Sequence, residues 1–171
     1  MSSRLVLLDA DVVIELFRLG TWDRLVGAVR VSLAATVVAE ADHYYDLDTG
    51  AKKVIDLQPY VGDGRVTVED GDVMEMARIR DACSRCLELH VGELESMAIV
   101  TKRDCHFCTA DGAAAKAMVL MDLGGLAISL DELLRRHGLP PKRKPRPYFS
   151  QAQMKLWLSE GGVLKAQTAK L

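Results

Sequence analysis

The sequence predicts an α/β layer fold on a mainly parallel central sheet of about five strands. Three observations carry this expectation. Short apolar runs alternate with stretches of helical periodicity, the pattern of strand and helix following each other in layers. The first run, Leu5-Val6-Leu7-Leu8, is unbroken, as suits a strand buried on both faces. Apolar residues make up 49% of the 171 and charged ones 27%, enough for a core and too apolar for disorder. The length suits one domain.

Taken in order, Leu5–Leu8 is the first strand and ends in Asp9-Ala10-Asp11. Val12, Val13, Leu16 and Phe17 then recur at helical spacing up to Gly20. Val29 to Leu33 reads as a second strand. Thr36 follows, a helix cap or a functional hydroxyl, and the helix begins at Val37-Val38-Ala39-Glu40 and carries His43, Tyr44 and Tyr45. Asp63-Gly64 is a turn before a weak third strand, Val66-Thr67-Val68. Residues 72–90 form the clearest helix, with Met76, Ile79, Cys83 and Cys86 on one face; Gly92 breaks the pattern and a second helix starts at Glu93. His106-Phe107-Cys108-Thr109 is the fourth strand, closed by Ala110-Asp111-Gly112. An alanine-rich helix runs from there to Gly124-Gly125, Leu126–Leu130 is the fifth strand, and Asp131 caps another helix.

The body covers residues 1–138. Residues 139–171 form an extension that packs on it: a stiff basic linker from Pro140 to Pro147, then a short helix. Ser150 to Gln153 fits a capping box, and the helix carries Met154, Trp157 and Leu158 and ends at Gly161-Gly162.

Formal net charge is −2, which excludes a chain that wraps nucleic acid by charge alone. The average hides a split. Residues 1–134 hold 13 Lys/Arg against 23 Asp/Glu, whereas 135–171 hold 9 against 1. An acidic body with a basic tail points to a site made of carboxylates and a patch able to hold phosphate. No run approaches the roughly 18 apolar residues of a membrane span, and no signal-peptide core precedes Asp9, so a cytoplasmic location is expected.

The informative pattern is where the acids fall. Asp9 follows the first strand, Asp111 follows the fourth, Glu40 lies just after the second, and Glu93 and Glu95 open a helix. Open α/β sheets bind ligands outside the carboxyl ends of their strands. Carboxylates gathered there repel one another, and a hard divalent cation, Mg²⁺ or Mn²⁺, offsets that repulsion through oxygen ligands. Such an ion activates water and stabilises phosphoryl charge, the chemistry of phosphodiester hydrolysis. Thr109, two residues before Asp111, can present a hydroxyl at the same strand end.

Four segments resemble the PIN-domain ribonucleases, a superfamily that includes many bacterial toxin–antitoxin toxins. Leu7-Leu8-Asp9-Ala10-Asp11-Val12-Val13-Ile14 is similar to their opening, and Thr36-Val37-Val38-Ala39-Glu40 to the segment of their second acid. Gly92-Glu93-Leu94-Glu95-Ser96-Met97-Ala98 resembles the third and Phe107-Cys108-Thr109-Ala110-Asp111 the fourth, in order across roughly residues 4–134. The resemblance implies a three-layer α/β/α fold and an Mg²⁺- or Mn²⁺-dependent endoribonuclease acting on RNA with one or two ions. It also implies a homodimer and a neutralising antitoxin partner. Carried over, Asp9, Glu40, Glu95 and Asp111 are the metal-site acids, with Glu93 the rival of Glu95. Asp11 departs from the family pattern, which more often has a hydroxyl or amide there.

Plainer accounts exist for the same residues. Asp9, Asp11 and Asp111 suit helix N-caps, and for Asp11 the cap is the favoured reading. His43, Tyr44 and Tyr45 suit core packing better than base stacking. The run Arg135, Arg136, Lys142, Arg143, Lys144, Arg146 is the candidate for RNA backbone, or a solvated linker. Cys83-x₂-Cys86 and Cys105-x₂-Cys108 have a zinc-ribbon spacing. Four thiolates would, however, have to converge from a helix face and from strand positions that point oppositely, so zinc is not expected. The rival function is a non-catalytic RNA-binding module or a four-Cys interaction module.

Overall fold

The computed structural model describes residues 5–170. The chain opens with β1 (Leu5–Leu8) and turns at Asp9 into α1 (Ala10–Arg18). Next comes α2 (Trp22–Ala28), a helix not expected from the sequence, with Trp22, Leu25 and Val26 buried. It extends to the residue before Arg30, since the Val29 N–H bonds Leu25 O, so β2 (Val31–Ala34) starts two residues later than expected. β2 runs straight into α3 (Ala35–Glu40).

His43, Tyr44 and Tyr45 are not on that helix. They form β3 (His43–Tyr45), antiparallel to β4 (Lys52–Val54). The Asp46 carboxylate accepts the N–H groups of Asp48 and Thr49, and Gly50 completes the turn at φ +67°. α3 has already ended at Glu40, where Ala41 leaves the helical region at ψ 67°, and the Asp46 turn folds the aromatic strand back as a hairpin. α4 (Gln58–Gly62) and β5 (Val66–Glu69) follow.

The helix expected over 72–90 is α5 (Val73–Cys83). Cys83 O accepts both the Cys86 and Leu87 N–H groups, closing a turn, so Ile79 and Cys83 share the buried face while Cys86 lies beyond the helix. α6 (Val91–Lys102) starts before Gly92, which therefore sits inside its first turn instead of breaking it. β6 (Cys105–Cys108), α7 (Gly112–Leu120), a 3₁₀ turn at Gly124–Leu126 and β7 (Ala127–Ile128) come next. α8 (Leu130–Arg136) is capped by Ser129, not Asp131: Ser129 Oγ accepts the Glu132 N–H and donates to the Asp131 carboxylate.

The central sheet has the order β5-β2-β1-β6-β7 and every pair in it is parallel. Helices flank it, giving a three-layer α/β/α architecture. From β1 the chain builds outward through β2 and β5, then returns to the other side of β1 with β6. β1 and β6 therefore meet at the point where the strand order reverses, in the register Leu8 opposite Cys108. That is where a crevice opens at the strand ends of such sheets.

The extension is pinned to the body. Glu15, fully buried, takes Arg18 and both the backbone N–H and the guanidinium of Arg146. Arg143 pairs with Asp48, and Arg136 with Glu132, so half of the basic run is engaged in ion pairs; Arg135, Lys142 and Lys144 are exposed. Phe149 is fully buried. α9 (Gln151–Thr168) continues past Gly161-Gly162 because Gly161 serves packing, not termination. A Cβ there would lie 3.1 Å from Lys116 Cα and 3.0 Å from Val119 Cβ, so the glycine lets α9 close on α7. Among the described residues no helix is long and apolar enough to cross a membrane.

Candidate functional site

Asp9 leaves the end of β1 in extended conformation and caps α1. Its Oδ1 accepts the Ala10 N–H at 2.8 Å and its Oδ2 accepts the Thr109 hydroxyl at 2.7 Å. Thr109 Oγ1 in turn accepts the Asp111 N–H at 3.0 Å, and Asp111 Oδ1 accepts the Ala114 N–H at 2.8 Å, capping α7. One buried hydroxyl thus fixes both acids at the ends of two adjacent parallel strands. The cap and site readings of these aspartates are not exclusive, since each caps with one oxygen.

Glu93, in the first turn of α6, accepts the His90 N–H at 2.8 Å. Glu40 ends α3 and reaches the same turn. A Cβ on Gly92 would stand 3.1 and 3.2 Å from its two carboxylate oxygens. Together Asp9, Asp11, Glu40, Glu93 and Asp111, with His90, Ala10 and Gly92, line a cavity of about 180 Å³. His90 and Gly92 were not expected as lining residues; the only sequence signal for them is their place beside Glu93.

The electrostatics follow from burial without a cation. Burial pushes the Asp9 carboxyl up to about 6, against the hydrogen bonds from Thr109 and Ala10, and the charges of Asp11 and Asp111 push the same way. Glu93 is raised to about 7, first by burial and then by Asp111 and Asp9, against the His90 N–H. Both are 8% exposed.

Glu95 is not among the lining residues. Its Oε2 accepts the N–H (2.9 Å) and the hydroxyl of Thr36, and its Oε1 accepts the Gly71 N–H at 3.2 Å. Burial raises its carboxyl, but these hydrogen bonds prevail and hold it below the ordinary range. Thr36 is correspondingly no cap. It lies inside α3, and Glu95 satisfies the donor that its helix start leaves open. Glu93 and Glu95 are two residues apart, about half a turn of α6, and so point to opposite sides of the helix, one to the cavity and the other to Thr36 and Gly71.

All four cysteines are thiols. Cys105 and Cys108 occupy the two ends of β6, three residues apart and so on opposite faces. Burial pushes the Cys83 thiol up to about 11 and that of Cys108 well above its ordinary value. Among the described residues, no three His, Cys, Asp or Glu side chains are placed so as to enclose an ion. The donor chemistry of the acidic cavity nevertheless fits a hard divalent cation. It offers carboxylate oxygens without Lys or Arg, and Gly92 keeps a Cβ out of the space beside Glu40. Compared with known family models and with curated proteins, the chain matches none.

Proposed function

We propose that this protein is a divalent-metal-dependent endoribonuclease of PIN-like type, hydrolysing RNA phosphodiesters at the cavity between Asp9 and Asp111. The observation that carries the reading is the pairing of β1 with β6 at the reversal of strand order, with Asp9 and Asp111 held at their carboxyl ends by one threonine hydroxyl. The four-segment resemblance adds RNA as the substrate class. The acids proposed as ligands are Asp9, Glu40, Glu93 and Asp111, with Asp11 accessory.

Mg²⁺ or Mn²⁺, when bound, neutralises the carboxylates, activates water and offsets charge developing on the phosphodiester. The protein's own part is to keep the acids in place before the ion arrives. Thr109 orients Asp9, the helix starts of α7 and α6 orient Asp111 and Glu93, and Gly92 gives Glu40 room. Hard oxygen ligands with retained water suit a set whose carboxylates do not touch one another. The homodimer and the antitoxin partner belong to the same proposal through the resemblance alone.

Incubating a pool of single-stranded and structured RNAs with Mn²⁺ or with EDTA tests this. Wild type should cut only with the ion, and Asp111→Asn should cut at least ~10²-fold more slowly while remaining folded. Cleavage at the wild-type rate by both Asp111→Asn and Asp9→Asn, or cleavage undiminished in EDTA, would sink the reading.

A further inference from the structure

We infer that the Arg80/Arg85 cavity, in the turn between α5 and α6, holds phosphates of the RNA strand that enters the acidic cavity. The inference rests on the ribonuclease reading and says where its substrate lies. Its first support is the shortage of free positive charge on the body. Seven of the twelve described Lys and Arg side chains between residues 5 and 134 are held in ion pairs. Arg80 and Arg85 are exposed and carry no ion pair among the described residues, and they line one cavity of about 620 Å³ together.

The second support is position. The cavity is lined through Leu89, and the next residue, His90, lines the acidic cavity. The walls of the two hollows therefore meet at the Leu89–His90 peptide. A strand with its scissile bond among five carboxylates experiences repulsion on its flanking phosphates, and a pair of guanidinium groups at the next step offsets it. Arginine suits this role because its planar fork grips phosphate oxygens two at a time.

The third support is the chemistry of the remaining wall. Leu87 and Leu89 are half-buried and give an apolar surface, and Ser84 adds a hydroxyl, a combination suited to a sugar and base beside the phosphate. Glu88 also lines the cavity and limits how many phosphates it takes. The basic run of the extension is the competing location. It is weaker, because Arg136, Arg143 and Arg146 are already paired with carboxylates.

The test uses the full chain and a fluorescein-labelled 20-nucleotide single-stranded RNA of mixed sequence, with anisotropy read in EDTA across a KCl series. Arg80→Ala/Arg85→Ala should weaken binding about tenfold at low salt. The same variant should flatten the slope of log affinity against log salt by about 1.4, the release expected for two phosphate contacts on a single strand. Arg80→Lys/Arg85→Lys should retain most of the slope, and thermal unfolding should show all variants folded. Unchanged affinity and slope in the alanine variant overturn the inference. So does loss of binding only in Lys142→Ala/Lys144→Ala, or a wild type that holds the 20-mer no better than a mononucleotide.

Cleavage with Mn²⁺ is scored separately. Metal-dependent cutting with no effect of the arginines removes this inference and leaves the nuclease. Arginine-dependent binding without cutting leaves the phosphate contact at Arg80 and Arg85 and removes the nuclease reading.

Discussion

Two places in this molecule bury carboxylates, and they do so in opposite ways. Glu15 has no exposed surface, yet its carboxyl lies below the ordinary range: burial raises it, but hydrogen bonds from Arg18 and Arg146, reinforced by their charges, outweigh that cost. Asp9 and Glu93 are nearly as buried, have no arginine, and are raised to about 6 and about 7. The first arrangement is complete and ties the extension to α1. The second has carboxylates facing one another with no Lys or Arg among the lining residues, which is the arrangement the proposed metal site calls on. Burial by itself does not separate structural acids from functional ones; the partner does.

The comparison breaks most sharply at the complete end. Arg18→Ala/Arg146→Ala leaves Glu15 buried with no counter-charge and should cost about 3–5 kcal/mol in urea unfolding. Glu15→Met, which removes the charge instead of stranding it, should cost much less, since both arginines can turn to solvent. Equal losses in the two variants would mean that Glu15 acts through packing and not through charge.

At the cavity end the effect depends on pH, with a definite sign. Below about pH 3 Asp9 and Glu93 are protonated in both folded and unfolded chains and cost nothing. As the pH rises, the unfolded chain ionises first, near the ordinary values of 3.8 and 4.5, and the folded chain later, near 6 and 7. The metal-free protein therefore loses stability across that window, by about 3 kcal/mol for each group. Glu15 works in the opposite sense, losing its contribution as pH falls below its ordinary range. Mn²⁺ should raise the unfolding temperature at pH 7.5 and scarcely at pH 5. Asp9→Asn should flatten the decline, and a metal-free stability that climbs from pH 5 to 7.5 in wild type but not in this variant would refute the account.

The sequence made the sheet legible because its strands are short apolar runs with acids at their ends. All five central strands could be read in this way, and so could the placing of Asp9, Asp111 and Glu40 beside one another. What escaped was decided by contacts distant in sequence. Gly161 looked like a stop, but α9 needs a glycine there to approach α7, and nothing near it in the chain says so. Asp46 turns the chain where periodicity suggested that a helix continues. The choice between Glu93 and Glu95 was likewise invisible, because Thr36 and Gly71, which claim Glu95, are 59 and 24 residues away.

Gly92 offers the smallest perturbation and the finest test of the cavity end. It sits in the first turn of α6, where alanine is the better helix former by up to about 1 kcal/mol. The nearest atoms to a Cβ there belong to the far end of Glu40, an exposed and flexible side chain, at 3.1 and 3.2 Å. The helix therefore has no reason to move, and the carboxylate does. Gly92→Ala should leave the unfolding temperature unchanged or slightly higher, while Mn²⁺ affinity, followed by calorimetric titration, falls about tenfold as it does when a supporting group of a metal site is lost. Glu40→Gln should produce the same fall, and the two together should add little. If Mn²⁺ binds Gly92→Ala as it binds wild type, Glu40 stands outside the metal set, and the site reduces to Asp9, Glu93 and Asp111 with water completing the shell. The glycine would then be explained by packing alone, as Gly161 is.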